Sequence, residues 1–567
     1  MKRSCWQVLP KISEEQLHNI TRESKIDVSP LIVQLLFNRG IVTSEAIESF
    51  LSADERLQND PFLLPDIDNA VERIRCALES GEKMAIYGDF DADGITATTL
   101  LCEGLKSLGA DVVWYIPDRG DEGYGLNNAA ISKLAGEGIR LLITADCGVS
   151  AVPEIIEANR IGMDVVVTDH HNVPSELPPA IAVIDPKRSD SYYPFKDLAG
   201  VGVAYKLLQA LSGSLKSDKK VESFLDLVAL GTVADMVSLL GENRYLVKQG
   251  LEALRKTGRV GIKELVKCAG IHFMSVIDTD DISWGLAPRL NAAGRLGDVG
   301  VGLKLLSTDS VEEARDLAEQ LERWNSERQQ KTVELVAKAK EQITGDRVDS
   351  PLIMVGGQDF HSGVVGVVAG KLAEEFYRPA VVFEQGSEWT KGSARSVPEV
   401  SIIEALSGCG DLLHRYGGHP MAAGFTIATA KLSDLRIKLT RKIAEQADLF
   451  EIQPHISIDA EVHLAELQGN AFKMIKQLEP FGSANSRPTF LARNIIVDKC
   501  KCFGKEDAHL EFQLSDGKAK WDGKAFKKGS FKEQVAPRSR IDIVFNIKEG
   551  RGRAFLQLNI IDFVPSN

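Results

Sequence analysis

The chain contains 567 residues, of which 44% are hydrophobic and 26% are charged, and its formal net charge is −13. This length suits three or four globular domains, and the negative charge argues against a protein that coats nucleic acid, because phosphate contacts require lysine and arginine. The first residues lack the apolar stretch of a signal peptide, no run approaches the length of a membrane span, and the eight cysteines include no CxxC pair. We therefore expect a cytoplasmic protein with reduced thiols and no membrane association.

The first half of the chain is predicted to contain a helical segment followed by an α/β domain. Residues 1–50 have a helical pattern and carry no recognisable chemistry. From residue 83, apolar runs alternate with helical stretches, and this spacing indicates βαβ units and a parallel sheet. Strands are predicted at 83–87, 111–116, 141–145, 164–168 and 181–185, and helices at 95–108 and 151–161.

Three aspartates at alternate positions follow the first predicted strand, in the run Gly88-Asp89-Phe90-Asp91-Ala92-Asp93-Gly94. Carboxylates this close raise one another's pKa unless a cation neutralises them. One of the three could cap the following helix, but a helix start has too few free donors for all of them. A calcium-binding EF-hand loop would need glutamate at its twelfth position, where this chain has Leu100. The run therefore predicts a metal site of another kind.

More acidic and histidine residues follow the other apolar runs. Asp146 comes directly after the strand 141–145, Asp169-His170-His171 follows the strand 164–168, and Asp235 ends an apolar helical run. The carboxyl ends of parallel strands meet at one edge of a sheet, where open α/β sheets bind their ligands. Adjacent histidines point in different directions, so that one can bind metal while the other faces substrate.

The types of these residues indicate which metal they would bind. Carboxylate oxygens with added imidazole suit Mn²⁺ or Mg²⁺ better than Zn²⁺. There are enough carboxylates to bridge two ions about 3.5–4 Å apart, the spacing of two-metal phosphoryl hydrolysis. The residues by themselves therefore predict a divalent-metal hydrolase.

The second half of the chain is predicted to contain three further regions. Residues 241–345 are predicted to be helical. Their last part, 310–343, contains no glycine or proline, which predicts one long helix. This helix would either connect two lobes or form a coiled-coil dimer. Residues 346–450 have the pattern of a second α/β domain. Residues 451–567 alternate short apolar and polar runs, which predicts a small β-barrel. Its 499–553 stretch contains 14 Lys and Arg against 8 Asp and Glu.

With these motifs in place, the chain resembles the DHH phosphoesterase superfamily. The run 88–94 is similar to the first motif of that family, Thr144-Ala145-Asp146-Cys147-Gly148 to the second, and Ala234-Asp235-Met236-Val237 to the fourth. The stretch 417–425 resembles the signature of the associated DHHA1 domain. The resemblance implies an α/β protein with a parallel-sheet DHH domain at 51–240, a DHHA1 domain at 346–450 and an OB-fold barrel at 451–567.

The resemblance also assigns roles to residues of the expected metal centre. His171 would face the scissile phosphate. Asp169 would bind no metal itself and would fix the orientation of a histidine by contact with its ring. Other members have a histidine at the position of Tyr87, so the resemblance leaves open which ion Asp89 serves. The implied metal ligands are Asp89, Asp91, Asp93, Asp146, His170 and Asp235.

Substrate contacts are implied by two further segments. Residues 286–295 are similar to a family segment that brings arginine to the cleft, and residues 391–396 resemble a phosphate-binding turn. A guanidinium can bind a phosphate through two parallel hydrogen bonds, and glycine lets the backbone approach an anion closely. The implied substrate-binding residues are Arg119, Arg289, Asn291, Arg295, Ser393, Arg395 and His419.

The combined domains resemble the members of this superfamily that degrade single-stranded DNA from its 5′ end. The resemblance implies two Mn²⁺ or Mg²⁺ ions, single-stranded DNA as substrate, release of mononucleotides, a role in recombination and repair, and a RecQ-type helicase and single-strand-binding protein as partners. Two alternatives are a DHH phosphodiesterase acting on short oligoribonucleotides or cyclic dinucleotides, and a noncatalytic scaffold. A scaffold would have lost metal ligands, whereas every expected ligand is present. Candidate base-stacking residues on the barrel are Phe503, Phe512, Trp521 and Phe526.

Overall fold

The computed structural model describes residues 5–23, 28–118, 122–123, 125–272, 277–345, 348–447, 452–549 and 556–566. Within these ranges the strands form a five-stranded parallel sheet, a five-stranded mixed sheet, a six-stranded sheet and a two-stranded pairing. None of the helices in the same ranges combines the length and the apolarity needed to cross a bilayer.

The N-terminal segment is mostly helical, as predicted, with one additional strand. The second helix begins at Pro30, directly after Ser29, whose side chain accepts a hydrogen bond from the Ile32 amide. Serine before a proline-initiated helix is a common start signal, because the side chain satisfies a free backbone donor. The elements are β1 (Cys5–Val8), α1 (Glu14–Glu23), α2 (Pro30–Phe37) and α3 (Ser44–Ser52).

The next domain contains the predicted parallel sheet. Its elements are α4 (Ile67–Ser80), β2 (Met84–Gly88), α5 (Ala92–Ser107), β3 (Val112–Tyr115), α6 (Asn128–Gly136), β4 (Leu141–Ala145), α7 (Val152–Arg160), β5 (Asp164–Thr168), β6 (Ala182–Ile184), α8 (Gly200–Ser214), α9 (Leu225–Ala234) and α10 (Gly241–Arg255). The strand order is β3-β2-β4-β5-β6, and every pair is parallel. The order reverses between β2 and β4, which makes this the switch point of the sheet.

Both faces of the parallel sheet are buried. In β2, Met84 and Ile86 belong to one hydrophobic cluster, while Ala85 and Tyr87 belong to a second cluster on the opposite face. Because side chains alternate along a strand, this division explains why the strand reads as one continuous apolar run. The prediction of a doubly covered parallel sheet is confirmed.

A group of helices leads to the second domain. The elements are α11 (Val260–Cys268), α12 (Thr279–Asp281), α13 (Ala287–Leu296), α14 (Gly300–Ser307) and α15 (Val311–Glu341), with the π-helical turn Ile282–Leu286 before α13. In α15, Ala314 and Leu321 pack in the core of the first domain, and Leu335 and Ala339 pack in the core of the second. The long predicted helix therefore connects two lobes within this chain.

The second domain is a mixed sheet with helices on both faces. Its elements are β7 (Ile353–Gly357), α16 (Ser362–Phe376), β8 (Ala380–Gln385), β9 (Trp389–Arg395), α17 (Ile402–Ser407), β10 (Leu413–His419), β11 (Ala422–Ala428) and α18 (Leu432–Ala447). The strand order is β10-β11-β9-β8-β7, and β10 and β7 are therefore the two edge strands. Only β7 and β8 run parallel, and the other neighbouring strands are antiparallel.

The C-terminal region forms a closed barrel, as predicted. Its elements are β12 (His455–Ile458), β13 (Ala460–Glu461), α19 (Ala471–Lys476), β14 (Phe490–Phe503), β15 (His509–Ser515), β16 (Lys520–Ala525), β17 (Arg540–Glu549) and β18 (Leu556–Pro565). The strands β14, β15, β16, β18 and β17 follow one another around the barrel, and pairing of β14 with β17 closes it.

The N-terminal segment packs on the barrel. Strand β1 pairs in parallel with β12, and Leu35 and Phe50 share one hydrophobic cluster with barrel residues such as Phe490 and Phe545. The segment that begins the chain and the barrel that ends it therefore form one lobe. The sequence did not predict this contact.

Candidate metal centre

The predicted metal-binding residues lie at the carboxyl end of the parallel sheet. The backbone there continues the sheet hydrogen bonds, because the Asp89 amide donates to the Ala145 carbonyl (3.2 Å) and the Asp146 amide to the Thr168 carbonyl (3.1 Å). These bonds hold the segments after β2 and β4 side by side at the switch point. Open α/β sheets place their ligands at this position.

The run of three aspartates is held by two helix starts. One oxygen of Asp91 caps α5 by accepting from the amides of Asp93 and Gly94 (3.0 and 3.1 Å). Asp93 accepts from the amides of Gly200 and Val201 at the start of α8 (2.7 and 2.9 Å). Helix N-termini favour negative charge, so these contacts fix the carboxylates while each oxygen keeps lone pairs for another ligand.

Asp146 occupies the middle of the cluster. Its φ angle is +65°, a left-handed conformation that few residues other than glycine adopt, and the residue is 1% exposed. Its Oδ1 atom lies 3.0 Å from Nε2 of His170. A Cβ atom at Gly200 would lie 2.5 Å from this Oδ1, so glycine is needed where α8 passes the cluster. Unusual backbone conformations of this kind concentrate at functional sites.

Asp235 reaches the cluster from α9. A Cβ atom at Gly231, one turn earlier, would lie 2.2 Å from the Thr96 hydroxyl, so this glycine allows α9 to pack closely on α5. As a result, Oδ2 of Asp235 lies 3.6 Å from Nε2 of His170. The prediction that Asp235 ends an apolar helix is confirmed.

The possible ligand atoms group into overlapping sets of three, each within 4.8 Å of one another. One set is Asp89, Asp91 and Asp146, and another is Asp93, His170 and Asp235. A third set joins Asp146 to the two histidines, so Asp146 lies between the other two groups. This arrangement can hold two cations, with Asp146 shared between them.

Asp169 belongs to none of the ligand sets and holds the histidine pair. Its Oδ1 accepts from the His170 and His171 amides and contacts Nδ1 of His171 at 2.7 Å, while its Oδ2 accepts from the Val149 amide. Burial raises the pKa of Asp169, but the contacts with His171 outweigh it and lower that pKa to about 2. For His171, burial lowers the pKa, and the Asp169 carboxylate outweighs this effect and raises it to about 9.

The other carboxylates carry strongly raised pKa values. Burial, with nearby Asp91, raises the pKa of Asp93 to about 7, and burial, with nearby Asp93, raises the pKa of Asp235 to about 8. Burial and four neighbouring aspartates raise the pKa of Asp146 well above its usual value. Burial also lowers the pKa of His170 to about 3, which keeps its ring neutral. A neutral imidazole is the form that binds a metal.

The donor set fits a pair of divalent cations. Oδ1 of Asp146 and Nε2 of His170 are buried and lie 3.0 Å apart, and among the described residues neither atom forms a hydrogen bond of acceptable geometry. Buried polar atoms are normally paired, and a cation would satisfy these atoms and offset the repulsion between the carboxylates. Oxygen donors with one imidazole suit Mn²⁺ or Mg²⁺.

The predicted substrate residues on α13 have different surroundings. Oδ1 of Asn291 accepts a hydrogen bond from the Ala92 amide (2.8 Å), which places Asn291 against the aspartate run. The guanidinium of Arg289 is held by Glu322 of α15 at 2.5 Å. Nη1 of Arg295 donates to the Gly363 carbonyl (3.2 Å) at the start of α16. Arg119 lies outside the described residues.

The predicted residues of the second domain lie near the same helix start. Nη1 of Arg395 donates to the Ser393 hydroxyl (3.0 Å). A Cβ atom at Gly366 of α16 would lie 3.0 Å from that hydroxyl and 3.1 Å from Nη2 of Arg395. Ser393, Arg395 and Arg295 are therefore brought together around the first two turns of α16. Nδ1 of His419 lies 3.1 Å from the Asn172 amide nitrogen, which joins the two domains beside the histidine pair.

Several contributors to the site were not predicted. The Gly200 and Val201 amides that hold Asp93 leave no side-chain signal in the sequence. Asn172 directly follows the histidine pair in the sequence, and this position could have indicated that it lies in the cleft. Burial lowers the pKa of His419, and the positive charges of His171 and Lys187 lower it further, which indicates that Lys187 also lies near the cleft.

Comparison with known families agrees with this geometry. Residues 83–232 match the model of the DHH family, N-terminal domain, residues 349–445 match the DHHA1 domain, and residues 458–562 match the RecJ OB domain. These matches cover the parallel sheet, the mixed sheet and the barrel in turn. The fold expected from the sequence is confirmed.

Similar proteins cover nearly the whole chain. A Bacillus subtilis protein, single-stranded-DNA-specific exonuclease RecJ, is 36% identical over 99% of this chain and 71% of its own length, and a Dickeya dadantii protein of the same name is 33% identical over 96% and 98%. RecJ from Thermus thermophilus, solved in complex with Mn²⁺, has a TM-score of 0.85 and 29% identity over 100% of this chain and 80% of its own. A second structure of that protein, with Mg²⁺, has a TM-score of 0.79 and 28% identity over 100% of this chain and 79% of its own. The chain therefore belongs to the RecJ family of DHH phosphoesterases.

Proposed function

We propose that this protein is a metal-dependent exonuclease that hydrolyses single-stranded DNA from the 5′ end and releases mononucleotides. The observation that carries the proposal is the group of three overlapping ligand sets at the switch point of the sheet, in which Asp146 belongs to the set with Asp89 and Asp91 and also to a set with His170, and His170 belongs in turn to the set with Asp93 and Asp235. Relatives named single-stranded-DNA-specific exonuclease RecJ support the choice of substrate.

Two groups of residues would hold the cations. We assign Asp89, Asp91 and Asp146 to one ion, and Asp93, His170 and Asp235 to the other, with Asp146 between them. Bound divalent cations supply Lewis-acid stabilisation of phosphoryl charge and lower the pKa of coordinated water. Asp91 and Asp93 are fixed by helix starts before any substrate binds, so the ligands need little rearrangement.

His171 is the residue that we assign to the scissile phosphate. In the metal-free protein the Asp169 carboxylate outweighs burial and raises the pKa of His171 to about 9, and in its protonated form the ring can donate a hydrogen bond to a phosphate oxygen. Asp169 is a positioning residue, because its contact with Nδ1 of His171 at 2.7 Å fixes the orientation of that ring.

The start of α16 is the proposed binding site for the terminal phosphate. Ser393, Arg395 and Arg295 surround a helix N-terminus, where free amides and the helix dipole favour an anion. We propose that Arg119 and His419 add to this pocket. The contact of Asn291 with the Ala92 amide favours a role in holding α13 against the aspartate run, and the pairing of Arg289 with Glu322 favours a role in holding α13 against α15; contact of either residue with substrate is a prediction.

The barrel supports the preference for a long single strand. Of the candidate stacking residues, Phe512 and Trp521 are buried in the barrel core, whereas Phe526 is 53% exposed and packs against Phe503 and His509. Exposed aromatic rings stack on unpaired bases of any sequence. A helicase that unwinds a duplex end and single-strand-binding protein are the partners that such an enzyme would use.

A substrate panel tests the proposal. Linear single-stranded DNA, duplex DNA, closed circular single-stranded DNA, short oligoribonucleotides and cyclic dinucleotides are each incubated with Mn²⁺, with Mg²⁺ or with EDTA. We expect cleavage of the linear single strand only, with a labelled 5′ nucleotide released first and with no cleavage in EDTA. Preferential cleavage of the cyclic dinucleotide or the oligoribonucleotide would support the alternative phosphodiesterase, and no cleavage of any substrate would support the scaffold.

A further inference from the structure

A turn at the carboxyl end of β6 lies beside the histidine pair. Ile184, the last residue of β6, pairs with Thr168, the last residue of β5, and its carbonyl accepts a hydrogen bond from the Asp169 amide (3.1 Å). Neighbouring strands of a sheet lie about 4.8 Å apart. The two segments therefore leave the sheet side by side, one toward the histidine pair and the other toward Lys187.

Hydrogen bonds fix the backbone of this turn. Asp185 is fully buried, its Oδ1 atom accepts from the Lys187 amide (2.7 Å), and its carbonyl accepts from the Arg188 amide (3.3 Å). Pro186 favours a turn here, because proline restricts its own backbone and aspartate can bond the amide two residues later. The guanidinium of Arg188 is anchored by Asp66 at 2.5 Å. The position of Lys187 is therefore set before any substrate binds.

The side chain of Lys187 is half-buried and has no ionic partner in the described part of the chain. Arg188 pairs there with Asp66 and Asp190, whereas Lys187 forms no ion pair. A half-buried ammonium has lost part of its hydration, and contact with an anion compensates for that loss. Lys187 is therefore available to a negatively charged substrate.

Three groups show where the charge of Lys187 acts. Burial is the main cause of the lowered pKa values of His170 and His419, and the charge of Lys187 adds to it in both. Burial raises the pKa of Asp235, and the same charge partly offsets this rise. The effect of a charge decreases with distance. His170 and Asp235 belong to one ligand set and His419 to the second domain, so the ammonium lies between the metal centre and that domain.

In the proposed reaction the first nucleotide of the strand occupies this space. Its 5′ phosphate binds at Ser393 and Arg395 in the second domain, and its 3′ oxygen is bonded to the scissile phosphorus at the metal centre. Release of a mononucleotide breaks the bond between that phosphorus and the 3′ oxygen, and negative charge develops on the oxygen as it leaves. A cation between the metal centre and the second domain is therefore next to the leaving atom.

We propose that Lys187 is a catalytic residue that contacts the leaving 3′ oxygen and donates its proton to it. This inference rests on the proposed function, because it names the general acid of the same reaction. The oxygen of water bonds to phosphorus and the water loses a proton to solvent. The bond between phosphorus and the 3′ oxygen breaks with its electron pair on that oxygen, and the proton of Lys187 completes the 3′ hydroxyl. Solvent then returns a proton to Lys187.

A substrate with a better leaving group tests this assignment. A 5′-phosphorylated DNA strand is prepared with sulfur in place of the 3′ oxygen of its first nucleotide, because a thiolate leaves without a proton far more readily than an alkoxide. Release of the first nucleotide is measured with Mn²⁺ in single-turnover experiments, on this sulfur strand and on the ordinary strand. Lys187→Met is expected to slow release about 100-fold from the ordinary strand and less than about threefold from the sulfur strand.

Two further variants serve as references. His171→Gln is expected to slow release from both strands by equal factors, because the phosphate oxygen assigned to His171 is the same in both. Lys106→Met removes an equal charge from the exposed last turn of α5, at the end away from the aspartate run, and should leave both rates unchanged. Cleavage of the sulfur strand by Lys187→Met would also show that this variant is folded and active.

The outcomes separate this inference from the proposed function. If the unaltered protein releases the first nucleotide but Lys187→Met slows both strands equally, or neither, Lys187 does not act on the leaving oxygen. Rescue of His171→Gln by sulfur, without rescue of Lys187→Met, would assign the proton to the histidine and overturn the proposal. If the unaltered protein releases no 5′ nucleotide, the proposed function itself fails. Circular dichroism and the milder Lys187→Gln check that an equal loss occurs in a folded protein.

Discussion

Asp146 combines three properties that make it the central residue of the site: a φ angle of +65°, burial, and a position between two ligand sets. Asparagine tolerates the same backbone conformation and has nearly the same shape. We predict that Asp146→Asn leaves the fold intact and lowers nuclease activity by more than about 100-fold, beyond the usual effect of residues that only support a metal ligand.

The same variant should change metal binding and stability in opposite directions. Removal of one negative charge from a crowded cluster relieves repulsion, so thermal unfolding of the metal-free protein should occur at the same or a higher temperature. The stabilisation that Mn²⁺ gives to the unaltered protein should be lost. Retained activity together with retained stabilisation by Mn²⁺ would contradict the assignment of Asp146.

The raised pKa values predict how metal binding depends on pH. Without metal, Asp93 and Asp235 have pKa values of about 7 and 8 in the folded state, above the ordinary value of 3.8. The folded state therefore binds more protons than the unfolded state between about pH 4 and pH 8, and its stability falls as pH rises through this range. A bound cation requires the ionised carboxylates, so metal binding strengthens over the same range.

Thermal unfolding with and without Mg²⁺ measures this effect. At equal Mg²⁺ concentration, the rise in melting temperature should be larger at pH 8 than at pH 6, because at pH 6 the metal must displace protons. Asp146→Asn, measured alongside, should show little rise at either pH. An equal rise at both pH values in the unaltered protein would show that these carboxylates do not bind the metal.

At the scale of elements, Arg244 joins three separate parts of the chain. Its guanidinium is fully buried and donates to the carbonyls of Phe50, Leu478 and Gln477 at 2.7–2.9 Å, which links α10 to α3 and to the segment before the barrel. Burial lowers its pKa to about 9, and the ring of Phe50 lies 3.7 Å from the guanidinium carbon.

We predict that Arg244→Met destabilises the protein by about 3 kcal/mol, because the carbonyls of Phe50 and Gln477 lose the arginine as a partner and that of Leu478 keeps only its bond from Asn485. Denaturant unfolding measures the loss, and limited proteolysis should cut the N-terminal segment sooner than in the unaltered protein. Lys256→Met, an exposed change at the end of the same helix, is the control and should have little effect. Equal protease resistance of Arg244→Met would show that this arginine does not hold the lobe in place.

The elements also show which features the sequence could predict. Strands β2, β4 and β5 were predictable because each is a short apolar run followed by a charged motif, and α15 because its periodic pattern contains no glycine or proline. The carboxylates and histidines that the structure brings together at the candidate metal centre were predictable for the same reason, since each follows a recognisable element.

Contacts between distant segments were not predictable. The pairing of β1 with β12 and the bond between Trp6 and Asp562 join residues more than 400 positions apart, and no periodicity in a single sequence indicates such partners. The Asn172–His419 contact and the helix-start amides that hold Asp93 are of the same kind. In each case one of the two interacting groups lies in a stretch of sequence with no pattern that would identify it as a contact residue.

At the scale of the whole molecule, two lobes flank the parallel sheet. The barrel lobe contacts the region before α13 through Asp280, which pairs with Arg487 and Lys548, and the mixed sheet approaches the histidine pair through His419. A strand held by the barrel and by the second domain would therefore pass the metal centre between them. Because the proposed binding surfaces would contact the phosphate backbone, strand binding should weaken as salt rises.

Anomalous X-ray diffraction from a crystal of this protein grown with Mn²⁺ tests the central claim most directly, because it locates each manganese ion without reference to activity. We predict two manganese peaks about 3.5–4 Å apart at the carboxyl end of the parallel sheet, with Asp146 between them, Asp89 and Asp91 beside one, and His170 and Asp235 beside the other. A single peak, or manganese bound elsewhere with these side chains uncoordinated, would contradict the account.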